Sequence, residues 1–305
     1  MWVEFAGTAD MRRFDVPELT ATAIGRMAER VAGNSRQSVN EETPLLSAAM
    51  PLGERFQVVL APAAPDGGAF SIRKHVISNY SLDDYLRAGA FDSVEIGEGI
   101  DGGSVRDALA GELSALLARG RPEDFVAFLK MAVAGRLTIV VSGGTSSGKT
   151  TFLNALLKEV GMNERVVSIE DTRELKPPQP NYVALVASKG DQGISRVGIQ
   201  DLVESSLRLR PDRLFLGELR GKEAYSFLQA ANTGHPGSLT TVHANDPAGA
   251  FHRLALMMMQ AGLGLTKAEL LEDIRYVVPV VVQLARRGGR RVVTDIYFDG
   301  YRRAQ

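Results

Sequence analysis

The chain has 305 residues, of which 45% are hydrophobic and 23% charged, and its formal net charge is −1. This length suffices for two domains with buried cores, and the near-neutral charge gives no support to non-specific binding of nucleic acid or membrane. The absence of cysteine excludes disulfides and cysteine-ligated metal sites. The first residues mix charged and apolar side chains, unlike a signal peptide, and the longest apolar run is too short to cross a bilayer. We therefore expect a cytoplasmic protein.

Residues 1–90 have the pattern of a small α+β domain. The predicted strands are 2–7, 54–63 and 69–75, and the predicted helices are 17–33 and 81–91. Residues 91–104 are rich in glycine and acidic residues with little periodicity, which is typical of a linker. The first domain is therefore predicted to end at residue 90, followed by a linker over 91–104.

Residues 105–305 alternate between helical and strand patterns, which predicts an α/β domain with helices on both faces of one sheet. The predicted helices are 104–118, 122–134, 149–160, 198–210, 221–232, 247–262 and 266–277. The predicted strands are 137–142, 165–170, 182–187, 213–218, 237–243, 280–286 and 290–298. The last two are expected to form an antiparallel pair around Gly288-Gly289.

The segment GGTSSGKTT matches the phosphate-binding pattern G-x-x-x-x-G-K-[ST] and stands between a predicted strand and a predicted helix. In this context the backbone N–H groups and the helix dipole favour phosphate. Lys149 is expected at the β- and γ-phosphates and Thr150 at Mg²⁺. The predicted nucleotide-binding residues of this P-loop are Gly143, Gly144, Thr145, Ser146, Ser147, Gly148, Lys149, Thr150 and Thr151.

Hydrolysis also needs a group that activates water and a charge beside the metal. Glu170 and Asp171 end one predicted strand and Glu218 ends another, at the sheet edge where open α/β sheets bind ligands. Gly217 stands where P-loop proteins usually have the Mg²⁺-linked aspartate, so Glu218 is expected to supply that charge. Arg220 has three open roles: phosphate, a neighbouring subunit or solvent.

Two of the four histidines lie in the box TGHPGSLTTVHAN, His235 in its loop and His243 at the end of the next predicted strand. Each can be a structural histidine or a phosphate sensor. A zinc site is disfavoured because no neighbouring ligand set completes a tetrahedron.

Together these motifs resemble the secretion-superfamily traffic ATPases, in which a P-loop, an acidic segment, LGELRG and GHPGSLTTVHA occur in this order. The resemblance is greatest to the hexameric ATPases of type IV secretion and conjugation systems. MPLGERFQVV, SIRKH, RLALMMMQ and DIYFD are similar to segments of those proteins. Type II secretion motors usually carry a four-cysteine zinc module, which this chain lacks. Pilus motors resemble its core equally well.

The resemblance implies a RecA-like P-loop ATPase domain and a ring of six subunits that binds ATP and Mg²⁺ between the two domains of each protomer. Glu170 would orient the attacking water, although either it or Glu218 could activate it; Glu218 would support the metal. His243 would sense phosphate, with His235 as a further nucleotide contact. Arg55 and Arg73 match arginines that reach toward phosphate, unless they are solvated strand ends. Relatives have more residues before the first strand, so the N-terminal domain is expected to be unusually short or to begin upstream of Met1.

The implied function is an ATPase that powers type IV secretion, through substrate translocation or pilus assembly. Its expected partners are inner-membrane channel and coupling-protein components, with peripheral association at the membrane and no stable nucleic-acid binding. Three alternatives remain open: a pilus or type II secretion motor, a nucleotide-gated ring that does not hydrolyse ATP, and a RecA-type nucleic-acid motor. The last has little support from the near-neutral charge and single tryptophan.

Overall fold

The computed structural model describes residues 1–5, 11–74, 80–98, 107–187, 197–262 and 264–301. Contacts between residues divide the chain into two compact units. The first unit consists mainly of the residues before position 78, together with Asp171–Glu174 and a short segment that begins at Val186. The second unit contains most of the later residues, including the P-loop.

The first unit is a small α+β structure. Its elements are β1 (Trp2–Glu4), β2 (Met11–Arg13), α1 (Ala21–Asn34), β3 (Leu45–Ala49), β4 (Arg55–Val59) and β5 (Ala69–Arg73). β1 and β2 form an antiparallel pair, and β3, β4 and β5 form an antiparallel sheet with β4 in the middle. The Thr20 side chain caps α1 by accepting from the backbone N–H of Ala23. Ile24, Ala28 and Val31 lie at helical spacing and are buried in one cluster with apolar residues of β4.

The second unit contains an eight-stranded sheet. Its helices are α2 (Leu82–Arg87), α3 (Asp107–Arg119), α4 (Pro122–Ala134), α5 (Lys149–Leu157), α6 (Ile199–Ser206), α7 (Glu223–Asn232), α8 (Pro247–Met259) and α9 (Lys267–Val277). Its strands are β6 (Glu95–Glu98), β7 (Ile139–Gly143), β8 (Val166–Glu170), β9 (Tyr182–Val186), β10 (Arg213–Leu216), β11 (Leu239–Val242), β12 (Val280–Arg287) and β13 (Arg290–Phe298). The strand order is β6-β13-β12-β7-β11-β10-β8-β9.

The centre of this sheet is parallel, since β12, β7, β11, β10 and β8 run in one direction. Both faces are covered, and the strands accordingly consist of buried, mostly apolar residues. Ile139 and Val141 of β7 face one buried cluster, whereas Val140 faces the other. The parallel arrangement places the carboxyl ends of these strands at one edge of the sheet, which confirms the predicted α/β class.

Two features differ from the sequence-based organisation. The contacts divide the chain near residue 77 rather than at residue 90, because Leu82, Tyr85 and Phe91 are buried in the core of the second unit. Within the predicted linker, Glu95–Glu98 form β6, which pairs in parallel with β13. The glycine and acidic residues around this strand masked its strand pattern. Residues 99–104 of the predicted linker lie outside the described residues.

The predicted antiparallel pair at the end of the chain is confirmed, with Arg287 opposite Arg290 around Gly288-Gly289. Across the described ranges, no helix combines the length and apolar character needed to cross a membrane.

Candidate active site

The P-loop connects β7, which ends at Gly143, to α5, which begins at Lys149. Gly148 has φ +92°, a left-handed conformation in which a side chain would be strained. A Cβ at Gly143 would lie 2.5 Å from Ser147 Oγ and 2.6 Å from the carbonyl oxygen of Leu284. Both glycines of the motif are therefore required by the backbone path and by close packing.

The remaining loop residues differ in exposure. Gly144, Thr145 and Ser146 are exposed, and Ser146 also has a positive φ of 60°. Ser147 is buried, and its hydroxyl donates to the carbonyl oxygen of Gly144 at 2.8 Å. Thr150 and Thr151 lie half-buried in the first turn of α5. The exposed arc of the loop is thus held by contacts at its base.

Lys149 is buried at the centre of the loop. Its ammonium donates to the carbonyl oxygens of Gly143 at 2.8 Å and Gly144 at 2.9 Å. It also lies 3.3 Å from Nδ1 and 3.4 Å from Nε2 of His243. The structure therefore brings together the predicted phosphate-binding lysine and the predicted sensor histidine, which are far apart in the sequence.

His243 connects Lys149 to the carboxylate at the end of β10. Its Nε2 lies 3.1 Å from Glu218 Oε1, and Glu218 Oε2 accepts from Arg220 Nη2 at 2.8 Å. Four charged or titratable side chains consequently form one continuous network, Lys149–His243–Glu218–Arg220. Arg220, which the sequence left without an assigned role, is part of this network.

The protonation of His243 follows from its neighbours. Burial lowers the pKa of His243, the charge of Lys149 lowers it further, and Glu218 opposes both effects only in part. The imidazole therefore favours its neutral form. A neutral ring with its proton on Nε2 donates to Glu218 and offers Nδ1 to the ammonium of Lys149, which satisfies both neighbours.

Glu170 ends β8 and is buried. Its Oε1 accepts from the backbone N–H of Leu175 at 2.9 Å. A Cβ at Gly217 would lie 3.2 Å from Glu170 Cγ. The glycine that replaces the usual aspartate thus makes room for Glu170 beside β10.

Thr150 and Glu218 suit Mg²⁺ chemically, because a hydroxyl and a carboxylate are hard oxygen ligands. In the part of the chain that the structure describes, no group of three or more histidine, aspartate or glutamate side chains is arranged to hold a metal. This donor set fits Mg²⁺ that is bound together with substrate phosphates, because Mg²⁺ commonly uses one or two protein ligands.

Known proteins are similar to this chain in sequence and in structure. The family model "Type II/IV secretion system protein" matches residues 109–292. The chain belongs to this family. It is 36% identical to the type IV secretion system protein VirB11 of Bartonella quintana, over 97% of this chain and 85% of that protein. It is 38% identical to PtlH of Bordetella pertussis, over 91% of this chain and 79% of that protein.

A solved structure is also similar. The VirB11 ATPase of the Brucella suis type IV secretion system, crystallised in complex with sulphate, has a TM-score of 0.58 and 34% identity to this chain. The match covers 95% of this chain and 86% of that one. The similarity to this VirB11 ATPase therefore extends over both units.

In this structure, His235 does not lie beside the P-loop. His235 precedes β11, whereas His243 follows it, so the two lie at opposite edges of the sheet. His235 Nδ1 lies 2.8 Å from the carbonyl oxygen of Pro211, and the carbonyl oxygen of His235 accepts from Ser238 Oγ at 2.7 Å. Its contacts join two loops at the far edge, and a contact of His235 with nucleotide stays a prediction.

Arg55 and Arg73 belong to the first unit of this family member. They are directly opposite each other on β4 and β5. Arg55 forms ion pairs with Asp171 and Glu174, whereas Arg73 is exposed. Asp171, the alternative to Glu170 in the acidic segment, is therefore engaged with Arg55.

Sequence reasoning missed Arg291 and the role of Thr241. The stem of Arg291 lies against Gly148, and Thr241 Oγ1 donates to the carbonyl oxygen of Gly217 at 2.8 Å. The signal for Arg291 was present, because the predicted hairpin carries two arginines on each side of its glycine turn. Thr241 had no such signal, since its partner, Gly217, follows a different strand, β10.

Proposed function

We propose that this protein is a Mg²⁺-dependent ATPase that powers a type IV secretion system, by driving substrate translocation, pilus assembly or both. The observation that carries the proposal is the contact of Lys149 with His243, which in turn contacts Glu218. This network joins the P-loop to the ends of β10 and β11. Hydrolysis of a phosphate bound there requires positive charge, proton acceptors and hydrogen-bond donors close by.

The proposed reaction is in-line attack of water on the γ-phosphate. Lys149 neutralises charge on the phosphate oxygens, and the loop N–H groups hold the phosphate chain. Glu170, buried and held by the backbone of Leu175, orients the water. Thr150 and Glu218 would hold Mg²⁺, which supplies charge neutralisation on the β- and γ-phosphates.

His243 suits the role of phosphate sensor because its ring contacts both Lys149 and Glu218. Its neutral form is favoured, so it can donate one hydrogen bond without adding positive charge. Loss of the γ-phosphate changes the charge that Lys149 faces, and the histidine is positioned to transmit that change to Glu218. From the family resemblance we also propose that Arg55 and Arg73 contact phosphate.

We further propose that the working form is a homohexamer that binds channel and coupling-protein components at the cytoplasmic face of the inner membrane. The VirB11 and PtlH relatives, which are named as type IV secretion system proteins, support the choice of system. Light scattering of the purified protein with and without nucleotide tests the assembly state. A mass that stays at one subunit under all nucleotide conditions would contradict the ring.

Phosphate release by the purified chain tests the ATPase. Lys149→Ala is expected to lower turnover by about 10²–10³-fold, because it removes a preorganised positive charge from the transition state. The matched control is Lys222→Ala, which removes an exposed lysine outside the P-loop. A ring that assembles with ATP but releases no phosphate above the Lys149→Ala background would support the non-hydrolysing scaffold instead. A hydrolysing protein that fails to restore secretion to a strain lacking it would favour a pilus or type II motor.

A further inference from the structure

The β12–β13 hairpin extends past the end of β7 at the P-loop edge of the sheet. β12 runs parallel to β7 from Val280 opposite Ile139 to Leu284 opposite Gly143, where the P-loop begins. The strand then continues to Arg287, and the chain returns after Gly288-Gly289 along β13. The tip of the hairpin therefore lies beside the loop that binds phosphate.

Four arginines surround this tip. Arg286 is opposite Arg291, and Arg287 is opposite Arg290. The register therefore concentrates positive charge at this tip. Such a cluster attracts anionic ligands.

The two arginine pairs face opposite sides of the hairpin. Leu284 is opposite Val293, and both are buried in the cluster that contains Phe152 of α5. Side chains alternate along a strand, so Arg286 and Arg291 share the α5 face. Arg287 and Arg290 occupy the other face. Of the two pairs, only Arg286 and Arg291 thus lie on the side of α5, the helix that follows the P-loop.

Arg291 reaches the P-loop itself. A Cβ at Gly148 would lie 2.6 Å from Arg291 Cδ and 3.0 Å from Arg291 Nε. The charge of Arg291 also acts on Tyr85, whose pKa is raised by burial and lowered in part by this arginine. Tyr85 packs edge-on against Phe152 of α5, with ring centroids 5.0 Å apart. The arginine therefore lies over the start of α5.

The sheet order gives the direction of the bound nucleotide. His243 and Glu218 follow β11 and β10, and Glu170 ends β8. These strands lie on one side of β7, whereas β12 and β13 lie on the other. The γ-phosphate must face the groups that hydrolyse it. The α-phosphate, farther from the bond that breaks, then points toward the β12–β13 side, where Arg291 is.

We propose that Arg291 binds the α-phosphate of the nucleotide. Its planar guanidinium offers donors in a geometry that matches two phosphate oxygens. The proposal rests on nucleotide binding at the P-loop and adds a contact made equally with ATP and ADP. Because the α-phosphate takes no part in the reaction, Arg291 should affect binding rather than the chemical step.

Purified full-length variants test this contact. Arg291→Met keeps the packing of the stem against Gly148 and removes the charge, and Arg291→Ala is the second variant in case one folds poorly. The Kd for a fluorescent ADP analogue and the KM for ATP are expected to rise about 10–100-fold, with kcat changed less than about twofold. ATP and GTP should lose affinity by the same factor, because the contact is to phosphate rather than base. The matched control, Arg290→Met, removes the same charge from the other face and should change Kd less than about twofold.

Equal loss in Arg290→Met and Arg291→Met would overturn the proposal, because it would show only a general effect of positive charge. A loss that differs between ATP and GTP would overturn the α-phosphate assignment in favour of the base. Lys149→Ala separates this test from the proposed function. If Lys149→Ala abolishes binding and Arg291→Met binds normally, only the Arg291 contact fails; if Lys149→Ala also binds normally, nucleotide binding at the P-loop fails.

Discussion

At the edge of the sheet where β10 and β11 begin, Arg213 and His235 are used to hold loops together. At the edge where the same strands end, His243 contacts the P-loop lysine and Glu218 contacts His243. Each strand thus has a charged or titratable residue near both ends. The two edges differ in the use of these polar groups: some stabilise the fold, and others are available to take part in the reaction.

Arg213 is fully satisfied by its surroundings. It is 1% exposed, and its Nε and Nη2 each donate to Glu164 at 2.8 Å while Nη1 donates to the carbonyl oxygen of Val133 at 2.7 Å. Burial would raise the pKa of Glu164, but the hydrogen bonds and charge of Arg213, aided by Arg136, hold it below its usual value. A ligand has no accessible donor to bind here.

The carboxyl edge has the opposite character. The side chains of His243 and Arg220 are 42% and 49% exposed, and the hydrogen bonds connect titratable groups to one another rather than to a closed backbone shell. Such groups can exchange partners when phosphate arrives. His243 and Arg220 thus combine partial exposure with contacts to other titratable groups, whereas Arg213 is buried and its donors are saturated.

The largest expected effect is at Glu170. Glu170→Gln keeps an oxygen that can accept from the backbone N–H of Leu175 but cannot take a proton from water. ATP turnover should fall about 10²–10⁴-fold, the range for loss of a general base, while nucleotide affinity is retained. Phosphate release and Kd should be measured together. Glu272→Gln, at an exposed position, is the control for loss of one carboxylate, and equal turnover in the two variants would contradict the role of Glu170.

The next effect is on stability at the amino edge. Arg213→Met leaves Glu164 and the carbonyl oxygen of Val133 without their buried donor, which should lower the free energy of unfolding by about 3 kcal/mol. Arg136→Met removes an exposed arginine from the same carboxylate and should cost less than about 1 kcal/mol. Denaturant unfolding measures both values. Similar losses in the two variants would show that burial does not distinguish them.

The two histidines should separate stability from activity. His243→Ala removes a hydrogen bond to a charged group in the site and should lower kcat about 10–100-fold with little change in Tm. His235→Ala removes the contact to Pro211 and should lower the free energy of unfolding by about 1 kcal/mol while kcat is unchanged. Turnover and thermal unfolding are measured on both variants. A loss of activity in fully folded His235→Ala would support a contact of this histidine with nucleotide.

Some elements of the second unit could be predicted from local sequence. Predicted helix 122–134 coincides with α4 (Pro122–Ala134), because a proline at the first turn and a regular apolar stripe define it. The opposite positions of the histidines could also have been derived, since predicted strand 237–243 separates them. The contact of His235 with nucleotide was predicted from the family resemblance alone.

The rest depends on distant partners. Arg213 pairs with Glu164, 49 positions away, and nothing near Arg213 indicates its burial. β3 (Leu45–Ala49) contains serine and alanines, which have weak strand preference, and is held by its pairing with β4. Likewise, the room that Gly217 makes for Glu170 appears only when β8 and β10 are adjacent. Such features require the tertiary arrangement.

The smallest predicted effect is a pH dependence confined to the carboxyl edge. The pKa of His243 is lowered in the folded protein by burial and by Lys149, with Arg220 and Arg253 acting in the same direction and Glu218 against them. Below the ordinary histidine pKa of about 6.5 the unfolded chain therefore binds more protons than the folded one, so this group makes stability fall as pH falls. His243→Ala should show a shallower decrease in Tm than the wild type between about pH 6.5 and 5. A decrease in Tm as steep in His243→Ala as in the wild type would contradict this assignment.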